Sequence, residues 1–322
     1  MTMGVKALGY VVIETAQPEK WDEFLTQLAG VMRAPDAADG AALYRIDQRP
    51  FRLRVENTGR EWFKAAGYEI ADNAALDDLA ARIEAAGSPV AWTSEDEAKE
   101  RGVTRLFRTS DPAGNGLEFF YGDSATDEPF VSPLGVPSFL TGDMGMGHAV
   151  FSAPDFNAVL AFHRDVIGFR ETDMPRFYFG GGGPDDPGMG FAFMHADNGR
   201  HHSIAFGEGP VPPSGAVHIM LEYPNLEEVG KAHDRMKALG YAESATLGEH
   251  FNDETVGFYV RSPGGFDFEI GCDSLVIDPA TWQVTCHTGI SKWGHEWEWQ
   301  RAMKAAAAGT PPETTPTAQA VE

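Results

Sequence analysis

GEHFNDETVGFYVRSPGGFDFE, residues 248–269, decides how the rest of the chain is read. VGFYV (256–260) is β-branched and aromatic, the composition of a strand. SPGG (262–265) sets Pro263 before two glycines, the chemistry of a chain reversal. FDFEIG (266–271) then alternates, so Phe266, Phe268 and Ile270 share one face and Asp267, Glu269 and Gly271 the other. The stretch predicts a polar loop with His250, Asn252 and Asp253, a strand with Tyr259, a tight turn, and a strand with Glu269. Burying a carboxylate in an apolar strand is costly unless a cation pairs with it. Taken alone, Glu269 reads as part of a solvated strand face, so its company must decide.

Working outward, the chain repeats itself. Residues 5–31 read as an alternating strand, a polar turn and an amphipathic helix with Trp21, Phe24, Leu25 and Leu28 on one face. Residues 146–169 give the same order, with Asp155 as helix cap. A second pair, 68–87 and 218–240, is strand, Asn, Leu and two acids, then a helix closed by Gly. Further strands and a Pro/Gly turn follow in each half, at 110–122 and 261–272. Four strand–helix–strands units result, two per half, joined by a Pro/Gly/Ser/Thr-rich linker. On this alignment Tyr10, Tyr68 and Glu118 of the first half fall where His148, His218 and Glu269 fall in the second. Pro112 to Glu118 and Pro263 to Glu269 are both steps of six. One scaffold with different side chains implies that the second half does something the first does not.

Composition narrows the class. A chain of 322 residues with net charge −23 lacks the basic surface that nucleic acid or an anionic membrane requires. Cys272 and Cys286 form no metal, redox or disulfide motif. No apolar run reaches the ~20 residues of a membrane helix. The first 17 residues lack a signal-peptide pattern, so a cytoplasmic protein is expected. The Pro/Thr-rich end is expected to be disordered over 301–322.

Two imidazoles and one carboxylate make a facial triad, which leaves open positions on a metal and suits non-haem Fe(II); Zn²⁺ and Mn²⁺ also accept such donors. Either histidine alone reads as a satisfied core residue. Two of them with a glutamate at corresponding places of duplicated units are less easily dismissed.

The segments MGMGHAVF around His148, AVHIMLEY around His218 and Gly248 to Glu269 resemble the type I extradiol ring-cleaving dioxygenases of the vicinal oxygen chelate superfamily. The resemblance runs over about residues 5–300, through WQV (282–284) and KWGHEW (292–297), and leans toward the 2,3-dihydroxybiphenyl 1,2-dioxygenase type. The pattern G-x-H, seven residues, Phe-Tyr, two residues, x-Pro-x-Gly, three residues, Glu is present, with Ser262 as a mild departure before the proline.

The resemblance implies an α+β fold of two domains, each of two βαβββ modules forming a funnel-like incomplete barrel. It implies a metal-free domain at 1–125, a linker at 126–143 and a catalytic domain at 144–300. It assigns iron(II), with Mn(II) as second choice, to His148, His218 and Glu269. His202 of RHHSIAF becomes the acid–base residue, although a one-residue slip to His201 stays open. His250 and Tyr259 contact the catechol oxygens, supported by Asn252 and Asp253. By strand position alone, Val150, on the strand face of His148, and Phe193, on the strand before the RHH loop, are candidates to line the ring pocket, with plain core packing the alternative. Catechol and O₂ are the partners, no nucleic acid or membrane is involved, and a homo-oligomer is expected. The expected reaction is extradiol cleavage of a biaryl or polycyclic catechol. Monocyclic catechols, an isomerase or thiol transferase using another metal, and a non-catalytic ligand binder are the alternatives. The glycine-rich stretch 180–190 fits no phosphate-binding motif and is expected to be a surface loop.

Overall fold

The computed structural model describes residues 4–178 and 185–307. Its first sheet contains β1 (Val5–Thr15), β2 (Met32–Arg33), β3 (Ala42–Arg45), β4 (Leu53–Asn57), β5 (Trp62–Ile70), β6 (Ala91–Trp92), β7 (Val103–Ser110) and β8 (Gly116–Asp123), in the order β2-β3-β4-β1-β5-β8-β7-β6. The second contains β9 (Ala149–Ala153), β10 (Arg170–Asp173), β11 (Arg176–Phe177), β12 (Met189–His195), β13 (Ile204–Glu208), β14 (His218–Glu222), β15 (Glu243–His250), β16 (Val256–Arg261), β17 (Asp267–Cys272) and β18 (Ser291–Trp293). Its order is β10-β12-β13-β9-β14-β17-β16-β15-β18, with β11 beside β12. The two orders superpose: β9 stands for β1, β14 for β5 and β17 for β8. Neither closes on itself, so each half is an incomplete barrel built from two βαβββ modules, as the α+β reading expects.

The first helix of each half behaves alike. The helices α1 (Pro18–Glu23) and α4 (Phe156–Ala161) both run on into a π-helical turn, Phe24–Leu28 and Phe162–Ile167. The Asp155 carboxylate accepts from the Ala158 amide and caps α4 as expected. The second modules carry α2 (Asn73–Ala85) and α5 (Leu226–Leu239), and a short α3 (Glu95–Glu100) follows β6. No helix among the described residues is long and apolar enough to cross a membrane. Residues 301–307, expected within a disordered tail, belong to a helix α6 (Glu298–Ala307). Ala302 and the alanines from 305 are strong helix formers, and they outweigh the low complexity. Residues 308–322 lie outside the described part, as do 180–184 of the glycine-rich loop.

Both sheets share one apolar core. Trp21 and Phe24, from the first helix, pack on Phe266 and Phe268 at 4.9–5.9 Å between centroids. Phe268 is fully buried, and burying such a ring contributes about 2–3 kcal/mol. This packing fixes β17: a one-residue slip would turn Phe268 out and Glu269 in. The aromatic face of β17 thus aims Glu269 into the hollow of the second sheet.

The register corrects one expected correspondence. Tyr10 pairs with Gly67, and Gly67 with Glu118. In the second half the Met220 amide donates to the His148 carbonyl, and Met220 pairs with Glu269. Tyr10 and Glu118 therefore match His148 and Glu269, but His218 is matched by Ala65 and not by Tyr68. Tyr68 points the other way, into the core against Phe119 and Phe169. The helix caps explain the error. Asp72, not Asn73, caps α2, while Asn225 caps α5. Ala65 and His218 each lie seven residues before their cap.

Candidate metal centre and active site

His148 immediately precedes β9, His218 opens β14 and Glu269 sits mid-way along β17. Gly147 lets the first ligand approach its neighbour: its φ is +125°, and a Cβ there would lie 2.0 Å from the Met220 carbonyl oxygen. β14 pairs with β9 on one side and β17 on the other, so the start of β9 and the two strands beside it bring one donor each.

The donor atoms converge. The two Nε2 atoms are 3.1 Å apart, and Glu269 Oε2 lies 3.0 Å from that of His148 and 3.4 Å from that of His218. Neighbouring ligands bound at about 2.1 Å and at right angles to one ion stand about 3 Å apart. Two imidazole nitrogens aimed at one point repel unless a proton or cation lies between them. Glu269 Oε1 is buried without a hydrogen-bond partner, a cost that a cation removes. The donors therefore fit a divalent ion with two nitrogens and one carboxylate. In the first half, Glu118 instead accepts from Tyr10 OH at 2.6 Å and from Nε of Arg101 and of Arg108 at 3.1 Å. There guanidinium groups supply the positive charge.

Around the triad lies a cavity of about 220 Å³. His202, His250, Asn252, Asp253, Tyr259, Val150 and Phe193 all line it, together with the three metal donors. Of the RHH pair, His202 faces the cavity, stacked on His148 with centroids 4.0 Å apart. His201 sits behind it, Nδ1 to Nδ1 at 3.1 Å, against Trp282. The cavity continues into a wall that the sequence did not disclose: Phe177, Phe191, Val217, Ile290, Trp297 and Trp299. The described end of the glycine-rich loop is tied to β11, because Arg176 donates to the carbonyls of Pro187 and Gly188.

Two profiles match the sequence: the Glyoxalase/Bleomycin resistance protein/Dioxygenase superfamily over residues 145–270, and the dihydroxybiphenyl dioxygenase BphC D1 domain over residues 8–57. The chain is 37% identical to the biphenyl-2,3-diol 1,2-dioxygenase of Metapseudomonas furukawaii over 312 residues, covering 97% of this chain and all of the relative. The chain belongs to the extradiol ring-cleaving dioxygenases. It is also 35% identical to an iron-dependent extradiol dioxygenase of Rhodococcus jostii (strain RHA1), covering 91% of this chain and 98% of that one. A crystal structure of BphC, a halotolerant catechol dioxygenase, superposes with TM-score 0.84 at 31% identity, covering 92% of this chain and 96% of that one.

In this extradiol dioxygenase the triad of His148, His218 and Glu269 fits iron(II). Burial lowers the pKa of His148, against the pull of Glu269, and so favours the neutral, metal-binding imidazole. Burial, reinforced by His148 and His201, holds His202 well below its ordinary value. Its 3.9 Å approach to Asp253 is too long for a hydrogen bond and, with a neutral ring, is no ion pair. His250 differs. Burial opposes its charge, but Glu269, then Asp253 and the Ile290 carbonyl, lift it to about 9. An ion on Glu269 offsets much of that lift. Nδ1 of His250 donates to the Ile290 carbonyl at 3.1 Å, and Nε2 lies 2.8 Å from Tyr259 OH. These two side chains thus present a joined polar edge beside Glu269.

Proposed function

We propose that this enzyme opens the ring of a biaryl catechol of the 2,3-dihydroxybiphenyl kind, at the bond beside the two hydroxylated carbons, placing both atoms of O₂ in the product. The observation that carries the reading is the juxtaposition of the triad with an aromatic wall. A single catechol ring needs only the polar end, whereas Phe177, Phe191 and Trp297 offer apolar surface to a second ring.

His148, His218 and Glu269 hold iron(II), which supplies the electron transfer between catechol and O₂ when bound. The chain's other residues manage protons and position. His250 and Tyr259 hydrogen-bond the catechol oxygens and favour the ionised form. His202, held neutral by its burial, takes a proton from the substrate at a ring nitrogen and returns one as the ring opens. Asn252 and Asp253 order the loop beside His250; the Asp253 carboxylate accepts from the Thr255 amide at 3.2 Å. Val150 and Phe193 contact the reacting ring.

We also read residues 1–125 as a metal-free unit, 126–143 as linker and 144–300 as the catalytic unit, and the protein as a cytoplasmic homo-oligomer. Protein loaded anaerobically with Fe(II) should, on mixing with 2,3-dihydroxybiphenyl in air, take up O₂ and form a yellow product, with catechol a poorer substrate. A solution that stays colourless with every catechol overturns the reading.

A further inference from the structure

Among the ten histidines of the chain, His295 lies in the family-like KWGHEW stretch but matches no required role there, yet its placement is over-determined. It follows β18 on a stretch folded back across β15, where Ala245 bridges to Trp297 and Glu249 pairs with Trp293. Its φ is +48°, the left-handed region that a non-glycine residue enters rarely. Such strain costs on the order of 1–3 kcal/mol and persists only where the surroundings enforce it, most often at functional sites. Glycines make the room. A Cβ on Gly248 would lie 2.7 Å from the His295 ring, and one on Gly294 would lie 2.1 Å from the Leu247 carbonyl oxygen.

The ring is pinned at both nitrogens. Nε2 donates to the Gly257 carbonyl at 3.1 Å, so Nδ1 accepts from the Ser291 hydroxyl at 2.7 Å. Burial, and then the neighbouring His250, hold the imidazole neutral, near 4. So fixed, it lies against His250 with centroids 4.1 Å apart and planes 32° from parallel, and edge-on to Tyr259 at 5.7 Å. Besides the His295 ring, the His250 plane is held by its two hydrogen bonds, by Glu269 Oε1 3.5 Å from Nε2 and by the edge of the Tyr259 ring.

We propose that His295 is a positioning residue for His250: its pinned ring sets the plane in which His250 presents Nε2 to the catechol oxygen. The proposal rests on the substrate-side role given to His250 above. The strain in the backbone and the two glycines are then the structural means of placing one ring behind another.

The test is anaerobic titration of Fe(II)-loaded protein with 2,3-dihydroxybiphenyl, followed by the absorbance of bound catecholate, on His295→Asn, His250→Asn, the double variant and Ser291→Ala. Asparagine tolerates the left-handed backbone, and iron content and melting temperature are recorded for each. His295→Asn is expected to keep its iron, bind about tenfold more weakly and show a shifted catecholate band. Ser291→Ala keeps the ring but loosens it, and should bind about fivefold more weakly, the worth of one hydrogen bond; it carries the test if His295→Asn does not fold. In the His250→Asn background the second substitution should change nothing further. Wild-type affinity and spectrum in His295→Asn or, where that variant does not fold, in Ser291→Ala overturn the proposal, as does an equal loss with and without His250. Wild-type binding by His250→Asn instead sinks the role of His250 itself, and the positioning role with it.

Discussion

Arg101→Met tests the idea that one scaffold position must always carry a positive charge beside its buried carboxylate. Glu118 is 2% exposed and bonded to Arg101, Arg108 and Tyr10. Removing one partner of a buried pair costs about 3–5 kcal/mol, because the other charge is left uncompensated. Arg108 remains, but its side chain is 39% exposed against 5% for Arg101, so the cost should fall toward the lower end, about 3 kcal/mol. For a chain of this size that is a fall in melting temperature of roughly 5 °C. Replacing Glu118 by Gln as well should restore much of the loss. Acid provides a second readout. Burial pushes the Glu118 pKa up, but Arg101, Tyr10 and Arg108 bring it below 4.5. A depressed carboxylate contributes stability above its unfolded value and loses it as pH falls through the folded one. The stability gap between wild type and Arg101→Met should therefore narrow from pH 7 toward pH 3. Thermal or urea unfolding across that range measures both effects, with turnover expected within about twofold of wild type, since distant sites act independently. A variant that melts with wild type at pH 7 refutes the reasoning.

Three further outcomes follow from the site. Glu269→Gln should lose most bound iron on gel filtration, measured by metal analysis, and lower turnover by at least about a hundredfold; retention of stoichiometric iron would remove Glu269 from the donor set. His202→Phe should keep iron and anaerobic catechol binding while kcat falls by about 10²–10⁴, the worth of a positioned proton carrier; undiminished kcat excludes it. Trp297→Ala, which removes a ring packed 4.9 Å from Tyr259, should cut kcat/KM for 2,3-dihydroxybiphenyl about tenfold more than for catechol, as expected for losing about 1–3 kcal/mol of apolar contact. Equal losses on both substrates would mean that Trp297 acts through Tyr259 and not on the second ring.

What the sequence discloses follows from how local each signal is. The strand pair around Glu269 and Tyr259 is legible because period-two alternation and a Pro-Gly turn are short-range. His148 and His218 emerge because duplication supplies a second copy for comparison. That comparison misleads at Tyr68, where strand starts were aligned and the conserved distance runs to the helix cap. The wall beyond the triad is illegible: Phe177 lies on a two-residue strand, Ile290 in a loop and Trp297 past the last strand, so no periodicity groups them. The shared core is equally hidden, because the partner of Trp21 is Phe266, far along the chain. The π-helical turns keep the apolar spacing of an ordinary helix and leave no mark in the sequence.

The joint between the two modules differs in strength between the halves. In the first half β1 and β5 pair along most of their length, from Val5 to Glu14. In the second, the contact between β9 and β14 is short: Val150 pairs with His218 and Ala149 with Ile219, flanked by backbone hydrogen bonds from Val217 to Val150 and from Met220 to His148. His148 and His218 stand on opposite sides of that short joint. An ion shared between them is therefore also a clasp: it fastens two modules where their backbones hold each other least. One module supplies a single donor, His148, and the other two, His218 and Glu269, so the complete donor set exists only where the two meet.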